Sequence, residues 1–416
     1  MTASASMPQI EPILGGGVTS APGFTAAGIH TGFRRNPSRL DMALVVADEP
    51  CPCAGTFTQN PFASAPVQVS RDHVAKGIAK AVVVNSGNAN AATGDRGMLV
   101  ARQTCQLAAA ELGCSPDEVL VSSTGVVGVP LKMAPFEAGI PRAHAMASVA
   151  GGTYAASAIL TTDTFAKEFA VSYVSEAPGY EGTRFTVGGM TKGSGMIMPN
   201  MATMIAVVTT DAPFDHETLQ HALLRVVDES FNKVIVDADT SPNDTCLLLA
   251  SGLAASAPIQ EGSAAFEEFV AALDRVCEYL ARLIAMDGEG STKLVTVNVG
   301  GAVDDADADR AARKVASSTL VKTAIFGHDC NWGRIAVALG TSGAAFDVHD
   351  VAIDIMGIPV CRGGMAMSFD EDEALRRFES DEIVIDADLG AGDASCTIWT
   401  CDLTYDYVRI NGDYRT

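Results

Sequence analysis

Hydrophobic residues along this chain come mostly as short unbroken runs, each ending in a break rich in glycine, asparagine or proline. Residues 79–84, 119–121 and 205–208 are such runs, and they read as strands buried on both faces. Residues 40–47 and 54–60 read as two further strands separated by a turn, and 168–174 and 293–299 as two more. Two stretches change to a helical period. Residues 97–112 put Leu99, Ala101, Cys105, Ala108 and Leu112 on one face and close at Gly113. The strongest helix is Ala264–Met286, with Phe266, Val270, Leu273, Cys277, Leu280 and Ile284 along one side. Asp304-Asp305 opens another helix that runs to about Ala316, followed by an expected strand at 320–326 and a turn at Asn331-Trp332-Gly333-Arg334. Residues 401–416 alternate as a strand would, with Tyr405, Tyr407, Val408 and Ile410 as its anchors. Strands and helices interspersed in this way predict an α/β (α+β) chain. We place a main unit at 1–290 and a smaller C-terminal α/β unit at 291–416.

The 416 residues are 48% hydrophobic, enough for a large core. No run of eighteen apolar residues occurs, which excludes a spanning helix. The first residues lack the basic and apolar regions of a signal peptide and read as a short lead-in. A net charge of −22 argues against nucleic acid and anionic membrane as partners. An anionic substrate would therefore need local lysine or arginine and backbone N–H groups. None of the ten cysteines forms a C-x-x-C pair, and most sit among apolar neighbours, as reduced thiols of a cytoplasmic protein do.

One stretch departs from ordinary structure: Met190-Thr191-Lys192-Gly193-Ser194-Gly195-Met196-Ile197-Met198-Pro199-Asn200-Met201-Ala202-Thr203-Met204. Its glycines and proline forbid a helix or a central strand, and a buried strand begins directly afterwards. Thr203 thus stands where an irregular loop enters the sheet. A threonine hydroxyl is a weak nucleophile until a base activates it, and one solution is the threonine's own α-amine. That amine, with an ordinary pKa of roughly 7.7–8.0, exists only if the Ala202–Thr203 bond is cut. On chemistry alone, a plain turn whose threonine starts the next strand fits the same residues.

The run from Lys192 to Met204 resembles the self-cleavage motif of the ornithine acetyltransferases, the glutamate N-acetyltransferases of arginine biosynthesis. The similarity extends from about Gly16 to Thr416. It implies cleavage between Ala202 and Thr203 into chains 1–202 and 203–416, with Thr203 carrying the acetyl group. It implies an oxyanion site at Thr124 and Gly125, in the strand-to-glycine turn Ser123-Thr124-Gly125; without the family a simple turn fits there too. Substrate contacts carry over to Lys192, Glu289, Asn411, Thr416 and one threonine of the pair Thr161 and Thr162, which the match does not separate. The implied reaction is ping-pong transfer of acetyl from N2-acetylornithine to glutamate. No cofactor or metal is implied, and acetyl-CoA is left open as a second acetyl donor. The two chains would stay intertwined in a layered sandwich of mixed sheets and pair into a heterotetramer. The rival reading is an N-terminal-nucleophile aminopeptidase or amidase, in which water takes the acyl group.

Other features carry less. His216 and His221 are five apart and cannot share a face as the zincin motif requires. The Asp-rich segment 237–245 lacks the glycine and terminal glutamate of a calcium loop, so its role is support of the neighbouring site. The loop Asn85-Ser86-Gly87-Asn88-Ala89-Asn90-Ala91-Ala92 either caps the next helix or offers amides to a ligand. Ala92 stands where most members of the family have cysteine, so its side chain is not catalytic. His328 is tempting as a base, yet no neighbour in sequence orients it.

Overall fold

Strands that are apolar at every position need cover on both faces, and that requirement sets the architecture. The computed structural model describes residues 7–198, 204–237 and 239–413. Its larger sheet has nine strands in the order Ile10–Pro12, Lys167–Val174, Arg184–Lys192, Ile205–Thr210, Thr245–Ala250, Met42–Phe57, Ile78–Asn88 and Val119–Val126, with Phe24–Ile29 also paired to Met42–Phe57. Neighbours are antiparallel except for two parallel pairs, Ile205–Thr210 with Thr245–Ala250 and Ile78–Asn88 with Val119–Val126.

Met42–Phe57 is where this sheet folds over. Its first half pairs with Phe24–Ile29 and Ile78–Asn88, its last residues with Thr245–Ala250, and the register shifts between Val46 and Cys51. The two halves then face each other. Val45, Val82 and Leu120 from one half share a core with Val207, Leu247 and Leu249 from the other. Because side chains alternate along a strand, their neighbours point outward. Leu44, Val83 and Val121 pack on the helices Ala65–Val74, Gly94–Leu112 and Ala134–Met146. Ala206, Val208 and Leu248 pack on His216–Glu229 and Ala264–Met286. Helix, sheet, sheet and helix form the layers.

The second sheet has six strands, Met365–Ala366, Ile358–Arg362, Ala352–Ile355, Glu382–Asp388, Leu294–Ala302 and Ala394–Cys401, with Asp305–Ala316, Thr319–Phe326, Trp332–Gly340 and Glu371–Arg377 on one face. Leu294, Trp399 and Cys401 turn back onto the first unit's core beside Ala264–Met286. The α/β sandwich of mixed sheets flanked by helices is therefore the fold that the sequence predicts. Ala264–Met286 is found with the expected bounds, capped by Ser263 Oγ, which accepts from the Phe266 N–H at 3.2 Å.

Four local expectations need correction. Residues 320–326 are not a strand but most of the helix Thr319–Phe326. Ser318 caps it by accepting from Val321 N–H at 3.3 Å, and Val321, Ala324 and Ile325 form its buried stripe. Its β-branched composition favours a strand, and burial of one helical stripe overrides that preference. The strand expected over 401–416 is not found in the described residues 402–413 either, since Ala394–Cys401 ends there and Tyr405–Asp413 is helical. Tyr405 is 85% and Val408 71% exposed, so neither is a buried anchor, although the Tyr405 ring meets Phe326 edge-on at 5.6 Å. The segments 40–47 and 54–60 are not separate strands but are joined in one 16-residue strand, Met42–Phe57. The Asn331-Trp332-Gly333-Arg334 turn opens a helix, with Asn331 accepting from Arg334 N–H at 3.1 Å.

The double cover predicts a sharp contrast between two leucines. Leu248 is fully buried under the helices, whereas Leu320 is 56% exposed. Leu248→Ala should cost about 2–5 kcal/mol of unfolding free energy, and Leu320→Ala should stay within about 0.5 kcal/mol of the parent. Denaturant unfolding of the two variants measures both.

Candidate active site

Arg184–Lys192 and Ile205–Thr210 pair with Lys192 opposite Ile205, so the unusual loop leaves and re-enters the sheet at one point. Ala202 and Thr203 lie outside the described residues. On either side of them the loop is fastened by carboxylates. Asp163 accepts from Gly193 N–H at 2.7 Å. Asp237 accepts from two successive N–H groups, Met196 at 2.8 Å and Ile197 at 2.9 Å. Asp244 accepts from Met204 N–H at 3.2 Å. Met196 has φ 59°, a conformation that costs a side-chain-bearing residue energy and is held here by the Asp237 carboxylate.

Beneath the loop lies a fully buried ammonium. Lys167 Nζ donates to Asp163 at 2.8 Å and to Asp287 at 2.5 Å. Lys192 Nζ, also buried, is 4.0 Å from Asp163. Burial opposes ionisation of Asp163, but Lys192, Lys167 and the Thr161 N–H together hold it well below the usual carboxylate range. Burial pulls the Lys192 ammonium below its ordinary value, and Asp163 resists that shift. Asp244 behaves oppositely. Its burial outweighs the Met204 N–H and the nearby Lys192, and pushes its carboxyl well above the ordinary range. Burial likewise raises Asp237.

One pocket gathers residues from distant segments. Thr124, Gly125, Thr161, Thr162, Lys192, Glu289 and Asn411 all line it, joined by Gly195, Met196 and the Ser241-Pro242-Asn243 turn. Gly125 has φ 130°, and a Cβ there would meet the Gly87 carbonyl carbon at 2.4 Å, so only glycine fits. Gly195 lies against Glu289, and a Cβ there would sit 2.4 Å from the carboxyl carbon. Asn411 Nδ2 donates to Glu289 Oε2 at 2.7 Å, and Tyr407 donates to Asp237 at 3.3 Å. The C-terminal helix is thus seated on the pocket through polar side chains, not through the exposed Tyr405 and Val408.

Of the sequence candidates, Thr124, Gly125, Thr161, Thr162, Lys192, Glu289 and Asn411 come together here, and Thr203 and Thr416 are not among the described residues. Thr161 is engaged with Asp163 through its N–H at 2.9 Å and its hydroxyl at 3.4 Å. Thr162 has no hydrogen bond among the described residues and is the freer of the pair. Asp163 and Asp287 are site residues that sequence reasoning passes over, and Asp244 is singled out there only as part of a supporting segment. The one signal was an acid flanked by hydroxyls or glycines. The Asp-rich segment does support the loop, through Asp237 and Asp244, and it also walls the pocket. The asparagine loop spends amides on its own surroundings: Asn85 Nδ2 donates to Asn88 O, Asn88 Nδ2 to Val129 O and Asn90 Nδ2 to Gly97 O. His328 lies elsewhere, beside Phe369 and Leu375, and His216 and His221 face Cys53 and Glu261.

Comparison with known proteins agrees over the length of the chain. The family model described as ArgJ family matches residues 25–416. The arginine biosynthesis bifunctional protein ArgJ of Symbiobacterium thermophilum is 49% identical over 404 residues, spanning 97% of this chain and 99% of that protein. The protein of the same description from Caldanaerobacter subterraneus subsp. tengcongensis is 45% identical over 408 residues, spanning 97% and 100%. Among solved structures, the ornithine acetyltransferase of Mycobacterium tuberculosis complexed with ornithine is 35% identical, covering 46% of this chain and 98% of that chain at a TM-score of 0.41. A family match of this extent leaves one conclusion: the chain belongs to the ArgJ family.

Proposed function

We propose that this pocket transfers acetyl groups from N2-acetylornithine to glutamate, with Thr203 as the nucleophile after cleavage into chains 1–202 and 203–416. The observation that carries the reading is the meeting of Thr124, Gly125, Thr161, Thr162, Lys192, Glu289 and Asn411 in one pocket, at the loop that leads to residue 203. The Thr203 α-amine would take the hydroxyl proton as the oxygen attacks the acetyl carbon, and the Thr124 hydroxyl and Gly125 N–H would receive the developing oxyanion. Collapse expels ornithine, whose amine regains the proton. Glutamate's amine then attacks the acetyl-threonine ester and leaves as N-acetylglutamate, restoring the hydroxyl.

Both substrates carry an α-carboxylate, and Lys192 is a buried cation at the pocket wall that suits it. Glu289 is an anion presented by Asn411, and it suits the side-chain ammonium that ornithine has and glutamate lacks. Membership of a family concerned with arginine biosynthesis favours transfer over the hydrolysis of an amidase. The word bifunctional in the relatives' names fits acetyl-CoA as a second acetyl donor to glutamate. Two cleaved protomers pairing into a heterotetramer complete the reading.

The nucleophile is tested first. Thr203→Ala should remain one 43.1 kDa chain and transfer nothing, whereas Thr203→Ser should still cut, more slowly. Mass spectrometry that finds two chains in the alanine variant would refute the assignment. Thr124→Ala should lose about 10²–10³ in kcat, as removal of an oxyanion donor does, with the melting temperature nearly unchanged. Glu289→Gln separates the two substrates. Loss of a charged hydrogen bond should raise KM for N2-acetylornithine roughly 10- to 100-fold, while KM for glutamate stays level or falls.

A further inference from the structure

The strand that follows Thr203 has a gap in its ladder, and one side chain fills it. Ile205–Thr210 pairs in parallel with Thr245–Ala250, and the pairing begins at Ile205 opposite Thr245. Thr245 N–H donates to Met204 O at 3.0 Å, the last backbone link toward the loop. On the other side, Arg184–Lys192 leaves the sheet at Lys192, which pairs with Ile205. Met204 is 1% exposed, so its own N–H has neither a strand partner nor open water. Asp244 Oδ1 accepts it at 3.2 Å. Asp244 is itself fully buried, its main-chain oxygen holds Thr58 N–H at 3.0 Å, and its Oδ2 has no partner among the described residues.

The residue before it is anchored with equal rigidity. Asn243 Nδ2 donates to Ser64 Oγ at 3.0 Å, to Ala89 O at 2.7 Å and to Ser123 O at 2.7 Å. The Ser123 carbonyl belongs to the peptide bond that joins Ser123 to Thr124. The Met204 nitrogen belongs to the peptide bond that joins it to Thr203. Two consecutive residues therefore grip the peptide on one side of the oxyanion pair and the peptide next to the nucleophile. Asn243 reaches the pocket wall, but its amide donors are already spent on protein acceptors, which leaves it little to offer a substrate.

We infer that Asn243 and Asp244 are a positioning pair that fixes the distance between the nucleophile and its oxyanion donors. This inference rests on the assignment of Thr203 and Thr124 made above. Displacing one reacting group by an ångström costs about 10² in rate, and a short rigid dipeptide tied at both ends opposes that displacement. The environment of Asp244 agrees with such a role. Among the described residues only Oδ1 is engaged, as an acceptor from Met204 N–H, and burial biases the carboxyl toward the neutral form, so an amide oxygen can take the same bond. Asparagine at this position should therefore replace it.

The test compares Asp244→Asn, Asp244→Ser and Asn243→Ala, each with a thermal unfolding curve, a time course of self-cleavage, and kcat and KM for both substrates. Asp244→Asn should stay within about threefold of the parent. Asp244→Ser and Asn243→Ala should cut more slowly and lose about 10² in kcat, with KM for either substrate within about twofold. If Asp244→Ser does not fold, Asn243→Ala tests the other end of the same link by the same criterion. Unchanged kcat in the folded variants beside an active parent overturns the pairing alone. So does a loss that falls on KM, or an Asp244→Asn variant as impaired as the serine variant. A parent that transfers no acetyl group overturns the functional reading and this inference with it.

Discussion

Everything at the pocket hangs on an ammonium buried away from bulk solvent. Lys167 is fully buried, and its charge is matched by Asp163 and Asp287, which belong to segments more than a hundred residues apart. Each carboxylate then spends its remaining capacity on the backbone. Asp163 takes the Thr161 and Gly193 N–H groups, and Asp287 takes the Thr164 N–H and hydroxyl. The Asp287 carbonyl adds Ser194 Oγ at 2.7 Å. A buried ion pair of this kind contributes little net stability against an apolar substitute, but losing one partner strands the others in a medium that cannot solvate them. What the cluster supplies is geometry. It places the threonine pair, Lys192 and the first turn of the glycine loop relative to one another without relying on apolar packing.

The unusual backbone around the pocket was legible where the chain announces it locally. The glycine loop, the turn at Thr124-Gly125 and the glutamate between Gly288 and Gly290 are each conspicuous in a window of a few residues. The buried carboxylates were not, because their meaning depends on partners far away in sequence. Asp163 is one acid in a run of hydroxyls until Lys167 and Lys192 are seen on either side of it. Asp244 looks like part of a polar turn, and only the sheet register reveals that it completes a strand's hydrogen bonding.

The fold was legible to a similar degree and for similar reasons. Fully apolar runs could be assigned as strands because both faces had to be covered, and the long amphipathic helix announced its own period. That the strands 205–210 and 245–250 cross between two groups of earlier strands was beyond any local pattern. Residues 320–326 and 405–413 carry a strand-like composition because β-branched and aromatic residues favour strands, yet both are helical. In the first case the deciding factors were a serine cap and a buried stripe. In the second they were side-chain bonds from Tyr407 and Asn411 to Asp237 and Glu289, which no propensity encodes.

That strand order explains how a chain could cut itself and lose nothing of its shape. Ile205–Thr210 and Thr245–Ala250, both beyond residue 203, lie between Arg184–Lys192 and Met42–Phe57, both before it. Without that pair the earlier strands fall into two separate groups, so the larger sheet is continuous only through residues beyond 203. The loop itself is held in the same manner. Ser194 O accepts from Glu289 N–H at 2.8 Å, Ser194 Oγ donates to Asp287 O, and the Met196 and Ile197 N–H groups go to Asp237. Ile197 O in turn accepts from Val236 and Asp237 N–H at 2.9 and 3.2 Å. Each of these bonds joins a residue before 203 to a residue after it. Breaking one peptide bond between them would leave the pocket wall held by hydrogen bonds and the sheet held by its ladder. Under the proposed cleavage a residue there would become a chain terminus, and its amine, otherwise locked in a peptide bond, would become available as a base.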